Sequence, residues 1–575
     1  MQLRTQRTTG STTRRRRLAL AGLGVPALLC VGLVGGPATA ATAPAVAPDF
    51  DGDGTADLAM GSEGRIVVSY GTARTYEIVP APDGSCLFGD AAMAAGDLDA
   101  DGFDDLVVGD YCRSTDTLDM TGTVWVFRGS ADGLLSESGE ASRTQVHQGM
   151  LPGARQSDDM FGISVATGDL TGDGVEDLVV GAHYDAVGSV DSGSVTLIPG
   201  GPAGLVTADA VRYSQATAGV TGANEDNDRI GASVAVGDVT GDGRNDLVFG
   251  AAGENRIGAV HVLKGGAGTP TGTGSSFVNG SALSLTASSM EVLNIADGGT
   301  EAFLGWSLAI ADVTGDGRND VVAGAPLAKV SGVQGCGAVA VLRTTAAGIA
   351  TARTQVRSQS TAEMTGKCHQ DEEWGWTIAA GDLSGDGRAE VVVGAPTKTV
   401  NERTNAGAYA VIRPTSTGLT GTGSFMVTQN TANVPGAAEQ DDYFGARLAL
   451  RDLDGDGRLD VVASAPGERV DDTLVGFVAF LNSSSTLRPG TGSSSVDGLD
   501  FWFGSDEVYL LGTGLAVATG RSAAPGTTAA QSGPSAGTDA GASGADAGAS
   551  GAGVVVGAAA GTGSASLARV ALSRR

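Results

Sequence analysis

The sequence predicts an all-β fold in which four-stranded antiparallel sheets repeat radially, and three observations carry that prediction. A nine-residue acidic loop recurs seven times, and after the second copy its starts lie 69 to 74 residues apart. Short apolar stretches flank every copy. The chain has 91 glycines and only 5% aromatic residues, with no collagen-like period, as many short strands joined by tight turns require.

The loops read "DFDGDGTAD" at 49, "DLDADGFDD" at 97, "DLTGDGVED" at 169, "DVTGDGRND" at 238 and again at 312, "DLSGDGRAE" at 382 and "DLDGDGRLD" at 452. Calcium is a hard cation that takes six to eight oxygens at about 2.3–2.6 Å. Oxygen-bearing side chains at positions 1, 3 and 5, a backbone carbonyl at 7 and a carboxylate at 9 can wrap one ion. Glycine at position 6 allows the sharp turn. The first loop offers Asp49, Asp51, Asp53, the carbonyl of Thr55, and Asp57. The second offers Asp97, Asp99, Asp101, Phe103 and Asp105, and the third Asp169, Thr171, Asp173, Val175 and Asp177. The fourth offers Asp238, Thr240, Asp242, Arg244 and Asp246, and the fifth Asp312, Thr314, Asp316, Arg318 and Asp320. The sixth offers Asp382, Ser384, Asp386, Arg388 and Glu390, and the seventh Asp452, Asp454, Asp456, Arg458 and Asp460. An EF-hand would place glutamate at position 12 between helices, whereas Met60 and Val180 stand there and strand-like sequence follows. Asp/Gly turns are common, so a single copy would mean little; seven copies at one spacing mean a good deal. Loops 1, 2 and 7 carry Asp at position 3 and the others Thr or Ser, so weaker affinity is expected at loops 3 to 6. The longer stem of Glu390 puts its reach in question.

Around the third loop, "FGISVATGD" leads in, "DLVVGA" leads out and "GSVTLIPGG" follows. These alternating or continuous apolar runs read as short buried strands. More polar stretches such as "AVRYSQATA" and "SFMVTQN" supply a fourth, outer strand, and four antiparallel strands repeated radially make a propeller blade.

"FGISVATGDLTGDGVEDLVVGAHYD" and "FGARLALRDLDGDGRLDVVASAPGE" resemble FG-GAP repeats of the integrin α-subunit propeller and its bacterial relatives. The FG element stands as Phe88-Gly89, Phe161-Gly162, Ile230-Gly231, Leu304-Gly305, Trp374-Gly375 and Phe444-Gly445; the GAP element stands as "GDY", "GAH", "GAA", "GAP", "GAP" and "SAP". The resemblance covers roughly residues 47 to 520. It implies a seven-bladed β-propeller with up to seven calcium ions on one rim. No long insertion of the integrin I-domain kind and no "RGD" occurs. Some eukaryotic relatives carry a phospholipase domain beside such a propeller, and no such extra domain fits here. In the family's blade layout Cys86, Cys112, Cys336 and Cys368 fall on loops opposite the calcium rim, which implies Cys86–Cys112 and Cys336–Cys368 bridges.

Seven loops have only six lead-in strands before them. The seventh, "LGTGLAVAT" at 511–519, aligns with "LGWSLAIAD" at 304–312 and has no loop after it. It is expected to be the inner strand of blade 1, closing the ring and removing exposed sheet edges. Residues 1–40 read as a signal peptide: "RRRR" at 14–17, an apolar run, then "ATA" at 38–40. A membrane anchor fits that run less well, because it is barely long enough to span and holds proline and several glycines. The propeller is assigned to 41–520. The Ala/Gly-rich 521–575 is expected to be a disordered tail; "VVVGAA" at 554–559 echoes the strand "VVVGAP" at 391–396, which leaves a degenerate extra strand docking on the ring as the less favoured alternative.

Net charge is −29, and about −35 without the six arginines of residues 1–40. Such a surface repels phosphates, which argues against nucleic acid and anionic membrane as partners. Four cysteines in the mature chain suit an oxidising exterior. His147, His183, His261 and His369 are scattered, with neither a zinc-binding HExxH pair nor a G-x-S-x-G elbow. Trp374 and Trp376 flank Gly375 in a lead-in strand, where packing is expected over a sugar-stacking platform; Phe501, Trp502 and Phe503 are expected to pack near the closure, with a ligand contact as the alternative. The expected function is a secreted, monomeric, non-catalytic binding or adhesion module for an extracellular protein or glycan. The alternative is a secreted hydrolase or lyase acting on the face opposite the calcium loops.

Overall fold

The computed structural model describes residues 48–518, except 63, 72–74, 87, 89–91, 136–140, 286–300, 365, 457, 471–472, 485 and 502–510, together with the strand Val555–Ala558. The signal-peptide assignment, most of the tail, Trp502 and Phe503 lie outside the described residues.

Seven sheets follow one another along the chain. Blade 2 comprises Met93–Gly96, Asp105–Gly109, Val124–Phe127 and Arg143–Val146; blade 3 comprises Ser164–Gly168, Asp177–Ala182, Ser194–Ile198 and Val211–Tyr213. Blade 4 is Ile230–Gly237, Asp246–Ala251, Ala259–Leu263 and Ser276–Asn279; blade 5 is Ser307–Ala311, Asp320–Ala325, Ala338–Leu342 and Gln355–Arg357. Blade 6 is Ile378–Gly381, Glu390–Ala395, Ala408–Thr415 and Gly418–Val427; blade 7 is Leu448–Arg451, Asp460–Ala465, Phe477–Leu481 and Ser494–Asp497. In each, successive strands pair antiparallel, inner to outer. The second strands are apolar at consecutive positions because both their faces are buried. Val180 packs into the blade 2–3 core and its neighbour Val179 into the blade 3–4 core. The same division recurs at every junction, giving seven large apolar clusters, one between each pair of adjacent blades.

Blade 1 contains Leu58–Ser62, Arg65–Tyr70 and Thr75–Pro80. Its inner position is filled by residues 511–516. Met60 bridges Leu515 antiparallel, and the amides of Gly61, Gly512 and Ala516 donate to the carbonyls of Gly514, Gly61 and Ala59 at 2.7–3.0 Å. Leu511 and Leu515 join the blade 7–1 cluster, and Ala516 joins that of blades 1–2. Phe501 meets Tyr76 of blade 1 edge-on, ring centroids 5.0 Å apart, so it packs beside the closure. Val517–Ala518 then leave blade 1 and run parallel to Ala94–Ala95 of blade 2. Val555–Ala558 differ from the expected disordered tail. They pair antiparallel with Ser307–Ile310, the innermost strand of blade 5, whose inner edge was open to a strand-forming apolar segment.

The FG and GAP elements meet at each junction. The FG glycines from Gly162 to Gly512 have φ between +83° and +99°, which L-residues rarely adopt. A Cβ on Gly109, Gly181, Gly250, Gly324 or Gly394 would overlap the carbonyl oxygen of the FG glycine in the next blade. Into the same crevice Ser164, Ser233 and Ser307 donate hydroxyl hydrogen bonds to the carbonyls of Gly231, Gly305 and Gly375, at 2.8, 2.7 and 2.9 Å.

Two of the four histidines are core residues. Burial pushes His183 and His261 down to about 3, so both rings are neutral at neutral pH. His261 stacks on Phe249 with centroids 4.8 Å apart. Both tryptophans of the lead-in strand pack as well: Trp374 is fully buried, and Trp376 lies against Trp306 at 5.1 Å.

Two predictions follow from this packing. Gly324→Val should lower unfolding stability by about 3 kcal/mol or more, because its branched side chain has no room against the Gly375 carbonyl. Gly266→Val, at a site with nothing within 4 Å, should stay within about 0.5 kcal/mol of the parent. Equal denaturation midpoints for the two variants would contradict the close-approach account. For His261, the folded pKa lies below the unfolded value of about 6.5. The stability it contributes is therefore complete above pH 6.5 and lost as pH falls toward 3. His261→Phe should be relatively more stable than the parent at pH 5 than at pH 7.5, by about 2 kcal/mol in urea unfolding. Parallel pH profiles would refute this.

Candidate metal centre

Loops 2 to 7 each join the inner strand of a blade to its second strand, and loop 1 leads into the second strand of blade 1, so all seven stand at one end of the ring. The first aspartate organises the turn. In loop 3, Asp169 accepts hydrogen bonds from the amides of Gly172, Asp173 and Gly174 at 2.6–3.2 Å, and the Val175 amide donates to Asp173 at 2.9 Å. Loops 4 to 6 repeat this around Asp238, Asp312 and Asp382. Loops 1, 2 and 7 keep parts of it around Asp49, Asp97 and Asp452.

The ninth residue does more than the sequence indicated. Asp177 accepts from the amides of Leu170 and Thr171 with one oxygen and from Gly200, beyond the third strand, with the other, at 2.8–3.0 Å. Asp57, Asp105 and Asp246 reach Gly71, Gly129 and Gly265 in the same way, at 2.8–3.0 Å, and Asp460 reaches Ser483. Each of these carboxylates is buried and braces its loop to the far turn of the blade. Burial pushes Asp57 up to about 7 and Asp105 to about 8. Glu390 keeps the loop half of this brace: its Oε2 accepts from the amides of Leu383 and Ser384 at 3.1 and 3.2 Å. The glycine after the third strand, visible in "IPGG" and "LKGG", is the available sequence signal for this brace.

Neighbouring loops are also tied together. The Asp104 amide donates to the Asp49 carbonyl at 3.0 Å, Asn319 Nδ2 to the Asp238 carbonyl at 3.0 Å, and the Ala389 amide to the Asp312 carbonyl at 2.9 Å. Position 8 therefore links each of these loops to the one before it, a role the repeat pattern did not reveal.

Three loops bring carboxylates together. Ligand atoms of Asp49, Asp51 and Asp53, of Asp97, Asp99 and Asp101, and of Asp452, Asp454 and Asp460 each lie within 4.8 Å of one another. These are the loops with aspartate at position 3. In loop 7, Asp456 turns instead to the Arg458 guanidinium at 2.7 Å. No such acidic triplet forms at loops 3 to 6 among the described residues, where Thr171, Thr240, Thr314 and Ser384 replace the third carboxylate. The donor set fits a hard cation, and buried oxygens await a partner: Asp49 Oδ1, Asp99 Oδ1, Thr240 Oγ1 and Glu390 Oε1 accept or donate no hydrogen bond.

At the opposite end, Cys86 bonds Cys112 and Cys336 bonds Cys368, with Cα separations of 6.0 and 5.4 Å. Cys86 and Cys112 also cluster with Asp110, but the disulfide removes both sulfurs as metal ligands. No helix among the described residues is long and apolar enough to cross a membrane.

The model for "FG-GAP repeat" matches residues 161–198, 230–263, 304–342, 374–412 and 444–481, and that for "FG-GAP-like repeat" matches 49–108. Bovine phosphatidylinositol-glycan-specific phospholipase D is 34% identical over 175 residues, covering 30% of this chain and 19% of that protein. Integrin alpha-PS2 of Drosophila melanogaster is 34% identical over 167 residues, covering 28% of this chain and 11% of that one. The chain thus matches well under a third of the length of either relative. The matches begin and end on the elements described above, Phe161 through Ile198 being the first three strands of blade 3. By its repeats and their arrangement, the chain carries FG-GAP repeats and forms an integrin-like, seven-bladed β-propeller.

Proposed function

We propose that the chain is a secreted, calcium-stabilised binding module that holds an extracellular protein or glycan on the rim opposite its acidic loops. The observation that carries the calcium reading is the convergence of three carboxylates at loops 1, 2 and 7. Carboxylates this close repel one another in the folded chain, and a divalent ion converts the repulsion into cross-bridging. Calcium here is structural: it fixes loops that are already braced to the blade through position 9. Two disulfides support an oxidising, extracellular setting. The integrin relatives support a binding role, and the net charge of −29 disfavours nucleic acid and anionic lipid.

The second reading is a secreted hydrolase, favoured by the phospholipase D relatives. Of the histidines, His183 and His261 are buried in the core and out of reach as general bases, whereas His369 is exposed beside Glu372.

Removing calcium with EDTA should lower the melting temperature by about 10 °C, and calcium should restore it. An unchanged melt would sink the structural-calcium reading. Calorimetric titration should find three tighter ions, and Asp454→Thr, which gives loop 7 the residue of loops 3 to 5, should leave two. For the ligand, a glycan array and a pull-down from the native exterior, each with and without calcium, separate glycan from protein. Calcium-dependent turnover of a phosphodiester or glycoside substrate would favour the enzyme.

A further inference from the structure

A second polar pattern repeats on the rim away from the acidic loops, where one blade's outer strand ends against the next blade. It has three positions: a glutamine two residues past the fourth strand, a residue two before the FG aromatic or aliphatic, and a residue four after the first residue of the GAP element. Between blades 5 and 6 these are Gln359, Glu372 and Lys398, all buried and fully paired. The Lys398 ammonium donates to Gln359 Oε1 at 3.0 Å and to Glu372 Oε1 at 2.7 Å, and Gln359 Nε2 donates to Glu372 Oε2 at 3.0 Å. Between blades 4 and 5 the two ionisable positions are Ala302 and Ala328, both within the apolar core. Between blades 2 and 3 they are Asp159 and Asp185, and the Arg212 guanidinium pairs with Asp185. Where this crevice holds acid, it also holds a cation, or else the charge is dispensed with.

Two interfaces break that rule. Blades 3 and 4 meet at Gln215, Asp228 and Glu254, and blades 6 and 7 at Gln429, Asp442 and Glu468, with a carboxylate where blade 6 has Lys398. Gln215 Nε2 donates to Glu254 Oε2 at 2.6 Å, and Gln429 Nε2 donates to Glu468 Oε2 at 2.5 Å. The other oxygen of each amide, Gln215 Oε1 and Gln429 Oε1, is buried with no hydrogen-bond partner, and these side chains belong to residues only 6% and 2% exposed. Gln359 Oε1, the same atom between blades 5 and 6, is the one that Lys398 occupies. The backbone at these two interfaces is unusually close. The Gly253 amide donates to the Asp228 carbonyl at 2.9 Å and the Gly467 amide to the Asp442 carbonyl at 3.0 Å. A Cβ on either glycine would overlap the carbonyl oxygen of Asn227 or Asp441. The charges facing Asp228 are Glu225, Asp226 and Glu254, and its neighbour Arg229 pairs with Glu301 at 3.2 Å. Glu468 faces Asp442, Glu439 and Asp497, while Arg403 acts on Asp442. Burial, then the nearby acids, push Asp228 and Glu468 up to about 7.

We propose that each of these two interfaces is a divalent-cation site of hard oxygen donors, formed by Asp228, Glu254 and Gln215 Oε1 between blades 3 and 4, and by Asp442, Glu468 and Gln429 Oε1 between blades 6 and 7. The charge balance follows from the internal comparison. Glu372 has the charge of Lys398 beside it, and the pair Asp159 and Asp185 has that of Arg212. The two carboxylates at each of the two proposed sites form no ion pair with lysine or arginine among the described residues, and a doubly charged ion would balance both. Carboxylate and amide oxygens with no sulfur or imidazole select calcium, magnesium or manganese(II) over softer metals. The ion would clamp adjacent blades together on the rim where the acidic loops cannot reach.

Crystals of the full chain soaked in manganese(II) test this directly. Anomalous density is expected between Asp228 and Glu254 and between Asp442 and Glu468, and not beside Lys398; its absence from both interfaces, as a proton shared between the carboxylates would give, overturns the proposal. In solution, E254K/E468K should bind two fewer ions per chain by elemental analysis than the parent, and should melt higher than the parent in EDTA because two ammonium groups replace the ions. E254Q/E468Q, the milder change, should lose the same two ions. Unchanged stoichiometry in the glutamine variant overturns the proposal even if the lysine variant does not fold. Peaks at loops 1, 2 and 7 lie on the other rim and report separately on the calcium reading above.

Discussion

The close approach of one blade's FG carbonyl to the next blade's GAP glycine is the constraint on which the rest of the molecule depends. It demands a left-handed backbone at the FG glycine and the absence of a side chain at the GAP glycine, at successive junctions from Gly109–Gly162 to Gly394–Gly445. Backbone contact at that point fixes the spacing of adjacent sheets. Given that spacing, the alternating side chains of each second strand reach into two different cores, which is why "DLVVGA" is apolar without interruption. Serine hydroxyls at three junctions complete the contact by bonding the carbonyl that the missing Cβ admits. A motif that looks like a local turn signature is therefore a description of an interface between repeats.

The two rims inherit different electrostatics from this arrangement. On one, carboxylates converge at the surface, held by backbone amides and by the buried ninth residue, which couples each loop to the far turn of its blade. On the other, carboxylates are buried between blades: Glu372 is matched by Lys398 and Asp185 by Arg212, the interfaces of blades 3 and 4 and of blades 6 and 7 hold two carboxylates each, and between blades 4 and 5 both positions are alanine. Burying an unmatched charge costs several kcal/mol, so such positions vary together within the chain. Between blades 4 and 5, both ionisable positions are lost at once.

Much of this was legible in the sequence, because the repeat supplies its own alignment. The fold, the position of the loops and the place of the segment 511–516 beside blade 1 all followed from matching copies; "LGTGLAVAT" could be placed because "LGWSLAIAD" stands earlier in the chain. What stayed hidden falls into two kinds. Backbone hydrogen bonds, such as that from Ala389 to the Asp312 carbonyl, leave no residue signature at the donor. The glutamine–carboxylate–lysine set draws its members from two blades, so no single repeat displays it and only the folded interface assembles Gln359, Glu372 and Lys398. The partner of Val555–Ala558 was illegible for a third reason, since an apolar strand with no loop pattern carries no information about which edge it joins.

Closure is the last requirement, and it is met with a changed set of residues. Leu511 and Gly512 form the seventh FG element: the Leu511 bridge to Gly476 is the counterpart of Phe161 with Gly122 and Phe444 with Gly407. Across it stands Ser464 instead of a GAP glycine, and the Arg451 guanidinium donates to the Gly71 carbonyl of blade 1 at 3.3 Å. Joining ends about 450 residues apart costs about 5 kcal/mol in the length-dependent part of loop entropy. Complete burial of Leu511 and near-complete burial of Leu515 offset about as much. The closing strand therefore roughly balances its own entropy, and the gain from closing lies elsewhere. Without it, the apolar faces of blades 7 and 1 that form the seventh core would both meet water, and the open edge of Leu58–Ser62 would offer itself to other chains.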